Sequence, residues 1–135
     1  MRVLKYLSSL AAIIILFSCD NNDVTIQLNS ARKSSFSGTF KTINSENITG
    51  TITLQISGEH YHSATNLPFG HGAGKLEIKE STITFIDTLF FPIPAIYGPS
   101  YVLSGQHQYK FDGENLDIWR AKNVGEIEYK LKLIK

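Results

Sequence analysis

The sequence predicts an all-β fold, a small antiparallel up-and-down barrel of eight strands. Three observations carry that expectation. Apolar residues recur with a period of two over nearly all of the last hundred or so positions, and no segment shows a 3.6-residue period. Short turn signals separate the alternating runs. About eight such runs follow one another, and a meander of that number loses both edges by closing on itself. A two-sheet sandwich of similar strand count is the competing architecture.

The elements follow in chain order. Phe36, Gly38 and Phe40 share one face of a first strand. Ile52, Leu54 and Ile56 share a face of the second, with Thr51, Thr53 and Gln55 opposite. Ser57-Gly58 is a tight hairpin signal leading into Glu59-His60-Tyr61-His62. Gly74 to Ile78 and Thr82 to Ile86 form a further hairpin, turning at Lys79-Glu80-Ser81. From Tyr101 to Phe111 the alternation runs longest, with His107 on the apolar side, and Asp112-Gly113 turns it back. Leu116 and Ile118 continue, Asn123-Val124-Gly125 makes the last turn, and Ile127, Tyr129, Leu131 and Leu133 finish on one face. Glu126, Glu128, Lys130 and Lys132 take the other, which reads as a solvated face.

The first residues have a different organisation. Arg2 and Lys5 precede an apolar run of eleven residues, Leu7 to Phe17, which is too short for a membrane-spanning helix of about twenty. Leu16-Phe17-Ser18-Cys19 resembles the lipobox of bacterial lipoproteins, in which a small residue precedes a cysteine that is acylated and becomes the mature N-terminus. The resemblance implies a signal peptide over residues 1–18 and lipid on Cys19. Asp20-Asn21-Asn22-Asp23 is similar to the surface-export signals of Bacteroidetes lipoproteins, and equally suits the start of a solvated tether. Residues 19–34 are expected to be lipidated cysteine and polar tether, with Val24, Ile26 and Leu28 either a short edge strand or part of that tether. Residues 35–135 form the domain.

Cys19 is the only cysteine, so no disulfide forms within the chain. Losing residues 1–18 removes Arg2 and Lys5 and leaves eleven basic residues against twelve acidic ones, a net charge of −1. That balance gives no footprint for nucleic acid or for an anionic membrane surface.

Gly38-Thr39-Phe40 on the first strand is similar to the Gly-x-Trp start of lipocalins, with phenylalanine in place of tryptophan. Residues 74–78, 82–85, 103–109 and 112–118 follow in the order found in lipocalin-like lipoprotein domains of Bacteroidetes. The likeness spans about residues 35 to 135, and it implies a small barrel in the cell envelope, not an activity.

Candidate sites are few. His60 and His62 project from one strand face, as some metal sites require, but they alternate with Tyr61, which takes the core position and leaves them outward, and a third ligand would have to come from His71 or His107. Neither metal nor cofactor is expected. The loop Gly70-His71-Gly72-Ala73-Gly74 leads into a strand and not into a helix N-terminus, so it is no phosphate cradle. With the cysteine committed to lipid, and with no Gly-x-Ser-x-Gly elbow and no helical His-Glu pair, no enzyme is expected. Asp87-Thr88-Leu89 matches the short O-glycosylation motif of Bacteroidetes.

The most unusual segment is Leu89 to Pro99, whose three prolines make a poor central strand although it is rich in apolar residues. Two readings stand. Either it folds across one barrel end as a plug, burying Phe90, Phe91 and Ile93, or it is a hydrophobic lip at a ligand mouth or partner interface. In the second reading Phe90, Phe91, Tyr97 and Tyr101 contact a small hydrophobic ligand. The function expected is a non-enzymatic, lipid-anchored binding module of the bacterial cell envelope, attached to the outer membrane on its periplasmic or outer side. The rival is an interaction or structural envelope protein with a filled barrel. Each buried methylene contributes about 0.8 kcal/mol, and two or more acyl chains anchor stably. Cys19→Ser is therefore expected to move the protein out of the membrane fraction; sedimentation with membranes after a high-salt wash would contradict the anchor.

Overall fold

In the computed structural model, eight strands close into one antiparallel barrel in the order β1 to β8, with each strand bonded to its sequence neighbours and β8 to β1. The structure describes residues 25–42, 48–68, 70–89, 103–120 and 127–135. The strands are β1 (Ser34–Thr42), β2 (Thr49–Ser57), β3 (His60–Thr65), β4 (His71–Ile78), β5 (Thr82–Asp87), β6 (Gly105–Phe111), β7 (Asn115–Trp119) and β8 (Ile127–Leu133). Closure sets aside the sandwich.

The period of two becomes an inner and an outer wall. Phe36, Phe40, Ile52, Leu54, Ile56, Tyr61, Leu76, Ile83, Phe85, Tyr109, Phe111, Leu116, Ile118, Ile127, Tyr129 and Leu131 are buried together. Outward positions carry Thr39, Lys41, Thr51, Thr53, Gln55, Lys75, Glu77, Gln108, Lys130 and Lys132. A wall with that many charged and hydroxylated side chains faces water and not hydrocarbon, where a lysine near the bilayer midplane costs about 2–4 kcal/mol.

The connections between β2 and β3, β4 and β5, and β6 and β7 lie at one end. Ser57 pairs with His60, leaving Gly58 and Glu59 as a two-residue loop with Gly58 at φ +61°. Lys79, Glu80 and Ser81 make the second turn, where the sequence places it. In the third, Gly113 takes φ +101°, and the Asp112 carboxylate accepts the Glu114 and Asn115 amides at 2.9 and 2.7 Å. The Asn115 side-chain amide, which donates to the same carboxylate at 2.8 Å, and then these backbone bonds hold the Asp112 carboxyl down at about 2.

Two expectations are revised. The run from Tyr101 to Phe111 does not make the longest strand among those described: β6 starts at Gly105, whose φ of +80° breaks the extended chain. β1 and β2, nine residues each, are longer. And the segment before β1 is neither edge strand nor free tether at Leu28. The Ile26 amide donates to the Phe111 carbonyl at 2.7 Å, and the Ser30 carbonyl accepts from Gly58 at 2.8 Å. Those two partners sit at the end of β6 and in the β2–β3 turn, so residues 26–30 cross the end of the barrel as a strap. Leu28 is buried in the core beneath it, its amide directed at the Tyr109 hydroxyl at 3.4 Å.

Leu28 therefore seals the turn end of the barrel. Leu28→Ala is expected to cost about 2–4 kcal/mol, the range for a buried leucine cut to alanine, as read from urea melts. A loss below about 0.5 kcal/mol would mean that the strap is not packed.

Candidate functional site

The opposite rim is where the strands begin and end nearest residues 89–102. Phe90, Phe91, Tyr97 and Tyr101 lie outside the described residues, as does Cys19. The two feet of their segment are described, and each is tied to the barrel.

On the β5 side, the Thr88 amide donates to the Ala73 carbonyl at 2.8 Å, continuing the sheet past Asp87. The Asp87 carboxylate accepts the Leu89 amide at 2.9 Å, an Asx turn that ends the strand. Thr88 is exposed at this rim, its hydroxyl donating to the Ala73 carbonyl at 3.2 Å. On the β6 side, Leu103 is fully buried and its carbonyl accepts from the Tyr61 hydroxyl at 2.9 Å. The Arg120 guanidinium, at the end of β7, donates to the Ser104 carbonyl at 2.6 Å. Two long side chains thus do for Leu103 and Ser104 what a neighbouring strand does for β6. Burial, and secondarily the Asp87 charge, push the Tyr61 phenol well above its ordinary range, so it stays a neutral donor.

Beneath this foot lies a polar cluster inside the barrel. His107 is 1% exposed, with its ring edge-on to Phe85 at 5.6 Å and to Tyr129 at 6.1 Å between centroids. Its Nδ1 lies 3.1 Å from the Gly105 carbonyl, which only accepts, so Nδ1 carries the proton and Nε2 a bare lone pair. Burial, reinforced by the Arg120 charge, lowers the imidazole to about 4 against the small opposing effect of the Gly105 bond. The Tyr129 phenol is pushed up by burial. Among the described residues, neither His107 Nε2 nor the Tyr129 hydroxyl has a hydrogen-bond partner. An imidazole beside a phenol has the groups of acid–base chemistry, but both are enclosed by aromatic side chains.

The sequence places His107 inward and His60 and His62 outward, and the structure agrees. His71 is exposed on β4, paired with Ala64, while His107 is on the other side of the wall. Among the described residues, no three His, Cys, Asp or Glu side chains gather closely enough to hold a metal ion.

Two cavities bounded by described residues lie on the outer side of the wall. One, of about 570 Å³, runs over β1, β2 and β8 beside Thr39, Lys41, Thr51, Asn66, Glu128 and Lys130. The Glu128 carboxylate meets Lys41 at 3.0 Å and Lys130 at 3.5 Å, and the Lys41 bond holds it below the ordinary carboxylate range. A second, of about 460 Å³, lies over β7, β8 and β1 beside Asp117 and Lys132. Both are open to solvent, and the ion pairs are those expected of neighbouring charged residues on a solvated sheet.

Comparison with protein-family models, with curated proteins and with solved structures finds no match for this chain.

Sequence reasoning missed Arg120 and gave Tyr61 only a core position. A hydroxyl at the tip of a core tyrosine was the available signal, since such groups are usually bonded when buried.

His107 has a measurable consequence. Its folded value of about 4 lies below the ordinary histidine value of 6.5. The unfolded chain therefore takes up a proton first as pH falls, so the native state loses stability between about pH 6.5 and 4. The shift corresponds to about 3 kcal/mol over that window. His107→Phe is expected to flatten this part of the curve of unfolding free energy against pH. An unchanged slope in the variant would remove His107 as its source.

Proposed function

We propose that this chain is a lipid-anchored protein of the bacterial cell envelope whose filled barrel serves as a rigid support for protein interaction. One observation carries the choice between the two classes of binding module. An eight-stranded barrel has an interior just wide enough either to be filled by side chains or to hold one small ligand. Here Phe36, Phe40, Tyr61, Phe85, Tyr109 and Tyr129 occupy it, each at most 4% exposed. Leu28 and Leu103 add to the packing from the two ends.

The lipid anchor rests on the signal-like residues 1–18 and the lipobox resemblance at Cys19. The likeness to lipocalin-like lipoprotein domains belongs to the same reading for the wall, whereas the interior favours packing over cargo. The polar outer wall and the net charge of −1 after loss of residues 1–18 suit a domain held on a membrane by its lipid and not by its strands.

Phe90→Ala, Phe91→Ala and the double variant test this reading, with denaturant melts and titration of a hydrophobic fluorescent probe. Adjacent residues on extended backbone point to opposite sides, so one of the two single variants is expected to lose about 3–5 kcal/mol. The wild type is expected not to bind the probe. If the wild type binds it, and the double variant stays within about 1 kcal/mol of wild-type stability while losing the probe, the ligand-binding class replaces the interaction class.

A further inference from the structure

We propose that the strapped end of the barrel faces the lipid surface and that the rim carrying Thr49, Asn66, Leu89 and Leu103 points away from it. The inference rests on lipid attachment at Cys19, and adds an orientation that the anchor alone does not give.

The strap supplies the geometry. The first fixed point of the described chain is the Ile26 amide on the Phe111 carbonyl, at the end where the β6–β7 turn lies. Cys19 stands seven residues earlier, so the acylated residue lies within about 25 Å of that point even with the intervening chain fully extended. The expected tether, counted to residue 34, would have reached about twice as far. Nine-residue strands such as β1 run about 30 Å, and at a barrel tilt of about 40° they rise a little over 20 Å along the axis. Bringing the far rim to the membrane would make those seven residues climb the whole wall, using nearly all their reach. With the strapped end down they keep most of their conformational freedom.

The chemistry of that end fits a headgroup layer. Ile26 is 45% exposed beside Gly113, and Ile134 is 53% exposed where its amide donates to the Ser35 carbonyl. Arg32, Lys33, Lys79 and Lys135 are exposed around them, interspersed with Glu59, Glu80 and Glu114. Apolar side chains rimmed by both signs of charge suit a zwitterionic interface, to which the lipid supplies the affinity. The polar outer wall keeps the barrel standing on the bilayer.

The test uses the full lipidated protein in phosphatidylethanolamine–phosphatidylglycerol vesicles containing a headgroup nitroxide lipid. The acyl chain blocks the one native thiol, so Ser81→Cys and Thr49→Cys each offer a single site for a fluorophore. Ser81 is exposed in the β4–β5 turn at the strapped end, and Thr49 is exposed at the start of β2 on the opposite rim. Quenching of the Ser81 label is expected to exceed that of the Thr49 label several-fold. A fifteen-residue Gly-Ser insertion after Asn22 is expected to erase most of the difference. Equal quenching in the unextended protein, stronger quenching at Thr49, or no quenching at either site in protein that floats with the vesicles would overturn the orientation and leave the anchor standing. Protein that fails to float would overturn the anchor, and the orientation with it.

Discussion

Pairing of β1 with β8 is the interaction on which the rest of this barrel depends. It runs from Phe36 opposite Leu133 to Thr42 opposite Ile127 and uses the bonding edges that two terminal strands would otherwise expose. The two strands approach so closely at Gly38 that a β-carbon there would lie 1.9 Å from the Lys130 carbonyl oxygen. Only glycine fits that crossing, which gives a physical reason for the Gly-Thr-Phe sequence of the first strand. Once the ring is shut, the interior volume is set. The inward side chains must fill that volume at the density of a solid.

Most of the wall was legible in the sequence, because a strict period of two assigns each residue a face without knowledge of its neighbours. Ile52, Leu54 and Ile56 are inward and Thr51, Thr53 and Gln55 outward as read, and the Lys79-Glu80-Ser81 turn is where it was expected. Less legible were features that no local period encodes. A single leucine in a polar stretch gives no sign that it will be drawn under a barrel end, so the burial of Leu28 was missed. The late start of β6 depends on Gly105 and on Tyr61 and Arg120 reaching the preceding carbonyls from other strands. The expected contact residues Phe90, Phe91, Tyr97 and Tyr101 lie outside the described residues, so only the feet of their segment bear on them.

The interior is not uniformly apolar, and several of its polar groups lie under one foot of that segment. Tyr61 and Arg120 spend their donors on Leu103 and Ser104. His107 and Tyr129, nearby in the core, each leave a polar atom without a partner among the described residues. The strapped end is closed by Leu28, by two backbone hydrogen bonds and by the Tyr109 hydroxyl facing the Leu28 amide.

The seam also bears on how the chain reaches its native state. Neighbouring strands can pair through short turns, but β1 and β8 come from opposite ends of the folding sequence, and their meeting must await nearly everything between them. Such non-local pairing places a protein among the slower two-state folders, in the millisecond-to-second range. Until the last strand arrives, β1 presents an unsatisfied row of amides and carbonyls, a template for a neighbouring copy. Translation order makes β8 the last of the eight barrel strands synthesised, so a chain that lacks β8 would leave this barrel permanently ajar, with Phe36 and Phe40 lying along the open edge.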